Sequence, residues 1–175
     1  MIIKVFNFKD REEWVQKLQE SPNEKWIKTR SLGGSKSSTY IPLFIQEALA
    51  DLFFRECDII EETYTLVVNE VLCTIKMSIL PDYQDSEHRF ITGTASKPIQ
   101  QDQGSVASLF PSGKKTNALE YNSPAARAAA KSNALTSFAN IFGRNLGREG
   151  ANNNFSFIRK KTEEESDKKE TEKTK

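Results

Sequence analysis

The chain has 175 residues and sets 25 Lys and Arg against 24 Asp and Glu, for a formal net charge of +1. That length supports one domain with a real hydrophobic core, and a near-neutral balance argues against a uniformly basic, nucleic-acid-coating protein. No apolar run approaches a membrane span, and the apolar start is short and interrupted by Lys4, so a soluble, cytoplasmic protein is expected.

Residues 1–8 (MIIKVFNF) are apolar enough for a short strand. Asp10 can cap a helix to about Gln19, with Trp14, Val15 and Leu18 on its apolar side. Ser21, Pro22 and Asn23 end it. Residues 25–30 (KWIKTR) predict a short strand, and the Gly- and Ser-rich residues 31–39 a loop or hairpin tip. A hairpin there brings Arg30 close to Tyr40. Pro42 suits the first turn of a helix over 43–57, whose wide apolar face includes Phe44, Ile45, Leu49, Leu52 and Phe53.

Residues 59–68 and 71–80 are the clearest strands. In the second, Val71, Cys73, Ile75, Met77 and Ile79 form one apolar face at a period of two. Asn69-Glu70 is short enough for the hairpin turn between them, and residues 89–95 predict a third strand. Residues 97–122 are poor in apolar side chains and predict a long loop.

Residues 123–149 predict a helix. Ser123 can cap it and Pro124 fits its first turn. Six of residues 125–134 are Ala, the best helix former. Leu135, Phe138 and Phe142 follow at spacings of three and four. Arg127 and Lys131 share a face, as do Arg144 and Arg148. The slim Ala waist would let another element approach closely. Residues 151–156 read as a break, after which Phe155, Phe157 and Ile158 can return to the core. Residues 159–175 contain no apolar side chain and are expected to be disordered. The predicted architecture is α+β: an antiparallel β-meander packed with helices, a β-β-β-α core, spanning 1–158 with a charged tail at 159–175.

Enzyme motifs are missing. There is no GxxxxGK[ST] phosphate loop; the run from Gly33 to Ser37 lacks its first Gly and spacing. GxSxG does not occur. Asp82, Asp85 and Glu87 lie beside His88, the one histidine, but read better as a solvated turn than as a metal site. Cys57 and Cys73 belong to no Cys-x-x-Cys or Cys/His cluster and read as small buried hydrophobes. No catalytic residue, metal or cofactor is expected.

The charge is unevenly placed. Residues 91–150 contain the acids Asp102, Glu120 and Glu149 against seven cations from Lys97 to Arg148. This half is locally basic. Single-stranded nucleic acid is held by cations along phosphates and planar groups for bases. Arg30, Lys36, Tyr40, Lys114, Lys115, Arg127, Lys131, Arg144 and Arg148 are the candidate DNA-binding residues. For each cation the competing role is ordinary solvated surface.

Lys25-Trp26-Ile27-Lys28-Thr29-Arg30, the Gly-Gly loop and Tyr40-Ile41 resemble the opening motif of the Rad-fifty-two family of single-strand annealing proteins. A second run resembles that family's later helix: Ala126-Arg127, then Ser132-Asn133-Ala134-Leu135, then Phe142-Gly143-Arg144-Asn145-Leu146-Gly147. The order of elements agrees over residues 11–149. The resemblance implies ATP-independent binding of single-stranded DNA in a basic groove, homo-oligomeric rings, and annealing of complementary strands during recombination and repair. It places Arg30 and Tyr40 at groove positions. Thr136-Ser137 and Asn140 depart from it, standing where cations are expected. Lys131, Arg144, Lys114 and Lys115 are then the candidates to take over their role. The compact length suggests a phage or mobile-element protein acting in the host cytoplasm or nucleoid, with a host single-strand binding protein as a candidate partner of the tail. The alternative is an oligomeric structural or adaptor protein that recruits partners through that tail. A metal-dependent nuclease ranks last.

Overall fold

Alternation along one strand builds the centre of the molecule. In the computed structural model, residues 7–33, 36–67, 69–99 and 117–146 are described. Strand β4 (Glu70–Pro81) lies between β3 (Phe54–Val67) and β5 (Arg89–Pro98) in an antiparallel three-stranded sheet. Val71, Cys73, Ile75, Met77 and Ile79 of β4 are all buried on one face. The fold is α+β, with helices packed on an antiparallel meander.

Helix α3 (Ala118–Phe138) covers that face. Its buried row is Ala118, Asn122, Ala126, Ala130 and Ala134. These residues are four apart, one ridge of the helix surface. Ala126, Ala130 and Ala134 pack on β4, and Ala130 and Ala134 also meet Gly93 of β5. A Cβ on Gly93 would lie 2.1 Å from the Ala130 carbonyl oxygen and 2.6 Å from the Ala134 amide nitrogen. The Ala waist therefore does let another element approach closely, to backbone distance.

A second core joins the helices at one end of the sheet. Helix α1 (Arg11–Gln19) starts as expected: the Asp10 side chain accepts a hydrogen bond from the Glu13 amide at 2.9 Å, and Glu13 accepts one from the Lys9 amide at 2.8 Å. Trp14 and Leu18 are buried, whereas Val15 faces outward. The Trp14 indole donates to the Phe53 carbonyl at 2.9 Å. Phe54 packs edge-on to Phe138 at 5.5 Å between centroids and stacks on Phe142 at 6.0 Å.

Several boundaries differ from the expected ones. Helix α2 (Leu43–Phe53) stops four residues before Cys57, because Phe53 and Phe54 are both buried. Neighbouring residues share a core readily where a helix hands over to a strand, but not on one helical stripe. Helix α3 begins at Ala118, not Ser123. Burial of Ala118 and Asn122 extends the ridge backward, and Pro124 lies inside the helix on its exposed side. Asn117 precedes it at φ 65° with no side-chain cap. The helix ends at Phe138. Ala139 is extended, and a 3₁₀ turn over Asn140–Phe142 places Phe142 on the same aromatic cluster as Phe138.

The expected loop 97–122 is thus helix from Ala118 and strand through Pro98. A 3₁₀ turn at Glu24–Trp26 delays the first strand of the hairpin, which is formed by β1 (Lys28–Gly33) and β2 (Lys36–Tyr40). Asn7 and Phe8 form a bend, not a strand, and their amides bond to Asp82. Asp82 itself is buried, 3.9 Å from Arg55 Nε, and is not part of a solvated turn. The expected strand over 1–6, most of the 97–122 loop, the helix end at 147–149, the break at 151–156, the return of Phe155, Phe157 and Ile158, and the 159–175 tail lie outside the described residues. Among the described residues no helix is long and apolar enough to cross a membrane.

The Gly93 contact is backbone against backbone, so no rotamer change can make room for a methyl group. Gly93→Ala should therefore destabilise the fold by at least about 3 kcal/mol, measured by denaturant unfolding. Thr92→Ala, at an exposed position one residue away, should change it by less than about 0.5 kcal/mol.

Candidate nucleic-acid interface

The hairpin β1–β2 stands apart from the main sheet as its own two-stranded unit. Strand alternation decides what it presents. Lys28 pairs with Tyr40 and Arg30 with Ser38, so these four side chains share one face. The Arg30 guanidinium lies 5.5 Å from the centroid of the Tyr40 ring. The expected proximity of Arg30 and Tyr40 is realised. Lys36 opens β2 opposite Gly33.

Between this hairpin and α3 runs a cleft of about 780 Å³. One wall carries Arg30 and Tyr40. The other is the outer face of α3, where Ala125, Ala128, Ala129 and Ser132 leave a smooth surface of small side chains. Lys97 at the end of β5 and Arg144 in the turn after Phe142 complete the charged lining. No Asp or Glu lines the cleft among the described residues. Three cations without an opposing carboxylate among the described residues form an anion-attracting surface in a chain of almost zero net charge.

Other candidates lie elsewhere. Arg127 and Lys131 are on a different flank of α3. Arg127 Nε donates to Glu62 on β3 at 2.8 Å, and Lys131 Nζ donates to Glu47 on α2 at 2.6 Å. Neither lines the cleft. Lys114, Lys115 and Arg148 fall outside the described residues. Of the three uncharged positions, Thr136 lines the cleft, Ser137 donates back to the Ala134 carbonyl at 2.9 Å, and Asn140 donates to the Gln19 carbonyl at 3.1 Å. Asn140 is thus a tie between α3's end and α1.

Sequence reasoning missed Lys97, Gln46 and Asn133 as lining residues. Lys97 counts among the cations of the basic stretch 91–150, but the sequence places it at the start of a loop, whereas β5 runs through it. Asn133 donates to the Thr94 carbonyl of β5 at 2.8 Å, fixing α3 against that edge. His88 lies between Ser78 Oγ, 3.0 Å from its Nδ1, and Glu56, 3.9 Å from its Nε2. His88, Ser78 and Glu56 do not line the cleft. Cys57 pairs with Ile79 and Cys73 with Tyr64 across the sheet, and burial pushes the Cys57 thiol up to about 11.

The Arg127–Glu62 pair extends to Tyr64, whose hydroxyl donates to the same carboxylate. That bond first, and Arg127 second, hold the Glu62 carboxyl below its ordinary range. Conversely, the bond to Glu62 pushes the Tyr64 phenol up to about 12. The depressed carboxyl adds stability above its unfolded pKa, and this is lost as pH falls through the folded value. The raised phenol adds stability that is whole below its unfolded pKa of about 10 and is lost as pH rises through about 12. Tyr64→Phe should weaken both effects. Glu62 should then titrate at higher pH by NMR, and the stability–pH profile should flatten at its acid and alkaline ends. The change at pH 7 should stay below about 1 kcal/mol, since the pair is largely exposed.

Compared with models of known protein families and with curated protein sequences, the chain matches none.

Proposed function

We propose that the cleft between the hairpin and α3 holds single-stranded DNA and that the protein anneals complementary strands without ATP. The observation that carries this reading is the cleft's chemistry: Arg30, Lys97 and Arg144, with no acid among the described lining residues. A phosphodiester backbone supplies a regular anion to each such cation. The Ala and Ser wall presents few donors or acceptors with which to read base edges, which suits a ligand held by its backbone. Tyr40 offers one planar face, shared with Arg30.

Annealing requires no bond chemistry. It requires an extended strand, reduced repulsion between strands, and bases free to pair. Cations along one backbone supply the second of these. Three cations per chain make a modest site, and repetition of the cleft around a homo-oligomer would multiply it. The resemblance of the two sequence motifs to the Rad-fifty-two family supports the same reading. Its first motif falls on the hairpin wall, and its second runs from α3 into the turn bearing Arg144.

A dye-labelled oligo(dT), followed by fluorescence anisotropy across a salt series, tests the proposal. Wild-type protein should bind at low salt and speed annealing of complementary oligonucleotides without nucleotide. Arg30→Ala, Lys97→Ala and Arg144→Ala should each weaken binding about fivefold, near 1 kcal/mol. Each should also reduce the log–log salt slope by about 0.7, the value for one lost single-strand phosphate contact. Arg127→Ala and Lys131→Ala should change binding less than about twofold, because both cations are already paired with acids. Absence of wild-type binding at low salt would end the proposal.

A further inference from the structure

The cleft wall contains one buried polar side chain whose bonding is lopsided. Gln46, on α2, is 1 % exposed. Its amide nitrogen donates twice, to Thr136 Oγ1 at 2.8 Å and to the Phe142 carbonyl at 3.0 Å. Its carbonyl oxygen is buried with no partner among the described residues. As a packing element this is a poor choice. Methionine has nearly the same length, would fill the same space, and would leave no acceptor unmet. What glutamine adds here is its two N–H groups and the points they tie together.

Those points lie directly before Arg144. The Phe142 carbonyl ends the 3₁₀ turn. Gly143 follows at φ 99°, a left-handed conformation that favours glycine. A Cβ on Gly143 would lie 3.1 Å from Leu146 and 3.3 Å from Ile41, so the backbone is also closely confined there. The Leu146 amide then donates to the Gly143 carbonyl at 3.0 Å, closing the turn that carries Arg144. Arg144 is exposed and makes no ion pair among the described residues. Among the described residues no carboxylate aims its guanidinium, and the backbone of this turn sets where its side chain starts.

We propose that Gln46 is a positioning residue that holds Arg144 in the cleft by fixing the Phe142–Gly143 backbone to α2 and to the last turn of α3. Its effect on binding rests on the proposal that the cleft takes an anionic strand; its effect on the turn does not.

The test uses the full chain and Gln46→Met, read by amide hydrogen exchange and by oligo(dT) affinity. The variant should melt within a few degrees of wild type, since it removes an unmet acceptor and leaves the Thr136 hydroxyl for the Phe142 carbonyl. Exchange at Gly143 and Leu146 should speed up while the β4 amides stay protected. Affinity should fall about as far as in Arg144→Ala, with the same loss of about 0.7 in salt slope. Combined with Arg144→Ala, Gln46→Met should add almost nothing; combined with Arg30→Ala, the two losses should multiply. Unchanged exchange in the turn, or a full second penalty on top of Arg144→Ala, would overturn the assignment. If wild type binds no oligo(dT), exchange in the turn still decides the role of Gln46, and only the cleft's ligand is lost. Should Gln46→Met not fold, Thr136→Ala removes one of the two anchors and is read at the same amides, with unchanged exchange counting against the proposal.

Discussion

The approach of α3 to the sheet at Gly93 governs the rest of the molecule. With a Cβ at that position the helix would have to move away from β5, because the atoms in its path are backbone. Helix α3 is not only a cover for the core. Its inner ridge, Ala126, Ala130 and Ala134, touches the sheet, while its outer face, Ala125, Ala128, Ala129 and Ser132, forms a wall of the cleft. A shift of the first moves the second. The concentration of alanine in this helix therefore meets two demands: contact at backbone range inside, and a smooth wall outside.

The third flank of the same helix sorts the charge. Glu62 and Glu47 reach Arg127 and Lys131 from β3 and α2, drawing acids and their cations to the side away from the hairpin. The cleft is left with Arg30, Lys97 and Arg144 and no carboxylate among its lining residues. Net charge is thus a poor guide to local potential in this chain. Its acids and bases nearly cancel in number, yet the described lining of the cleft holds three cations and no acid.

Local signals in the sequence were legible where one element decides its own structure. The alternation of Val71, Cys73, Ile75, Met77 and Ile79, the Asp10 cap, and the hairpin that brings Arg30 to Tyr40 all depend on neighbours a few residues away. Boundaries set by tertiary packing were not legible. Ser123-Pro124 has the local chemistry of a helix start, but burial of Ala118 and Asn122 outweighs it. The roles of Arg127 and Lys131 depend on acids 65 and 84 residues away, and no spacing along the chain announces such pairs. Gln46 reads as a polar interruption of an apolar helix. Only its contacts with Thr136 and Phe142, 90 and 96 residues on, give it a part in the cleft.

The two walls of the cleft are unequal in stiffness. Helix α3 is bedded on a three-stranded sheet, whereas β1 and β2 form a separate two-stranded sheet. A lone two-stranded ribbon is marginal in water. This one is secured at its base, where Trp26 and Leu43 pack on the helical core and Ile41 is buried. On the proposed function, the hairpin is the wall that would give way first and α3 the one that would stay fixed. A strand bound there as proposed would then enter laterally, without a free end having to be threaded through. Under that proposal, part of the binding free energy would go into stilling the hairpin, so tight grip and easy entry would oppose each other in one short ribbon.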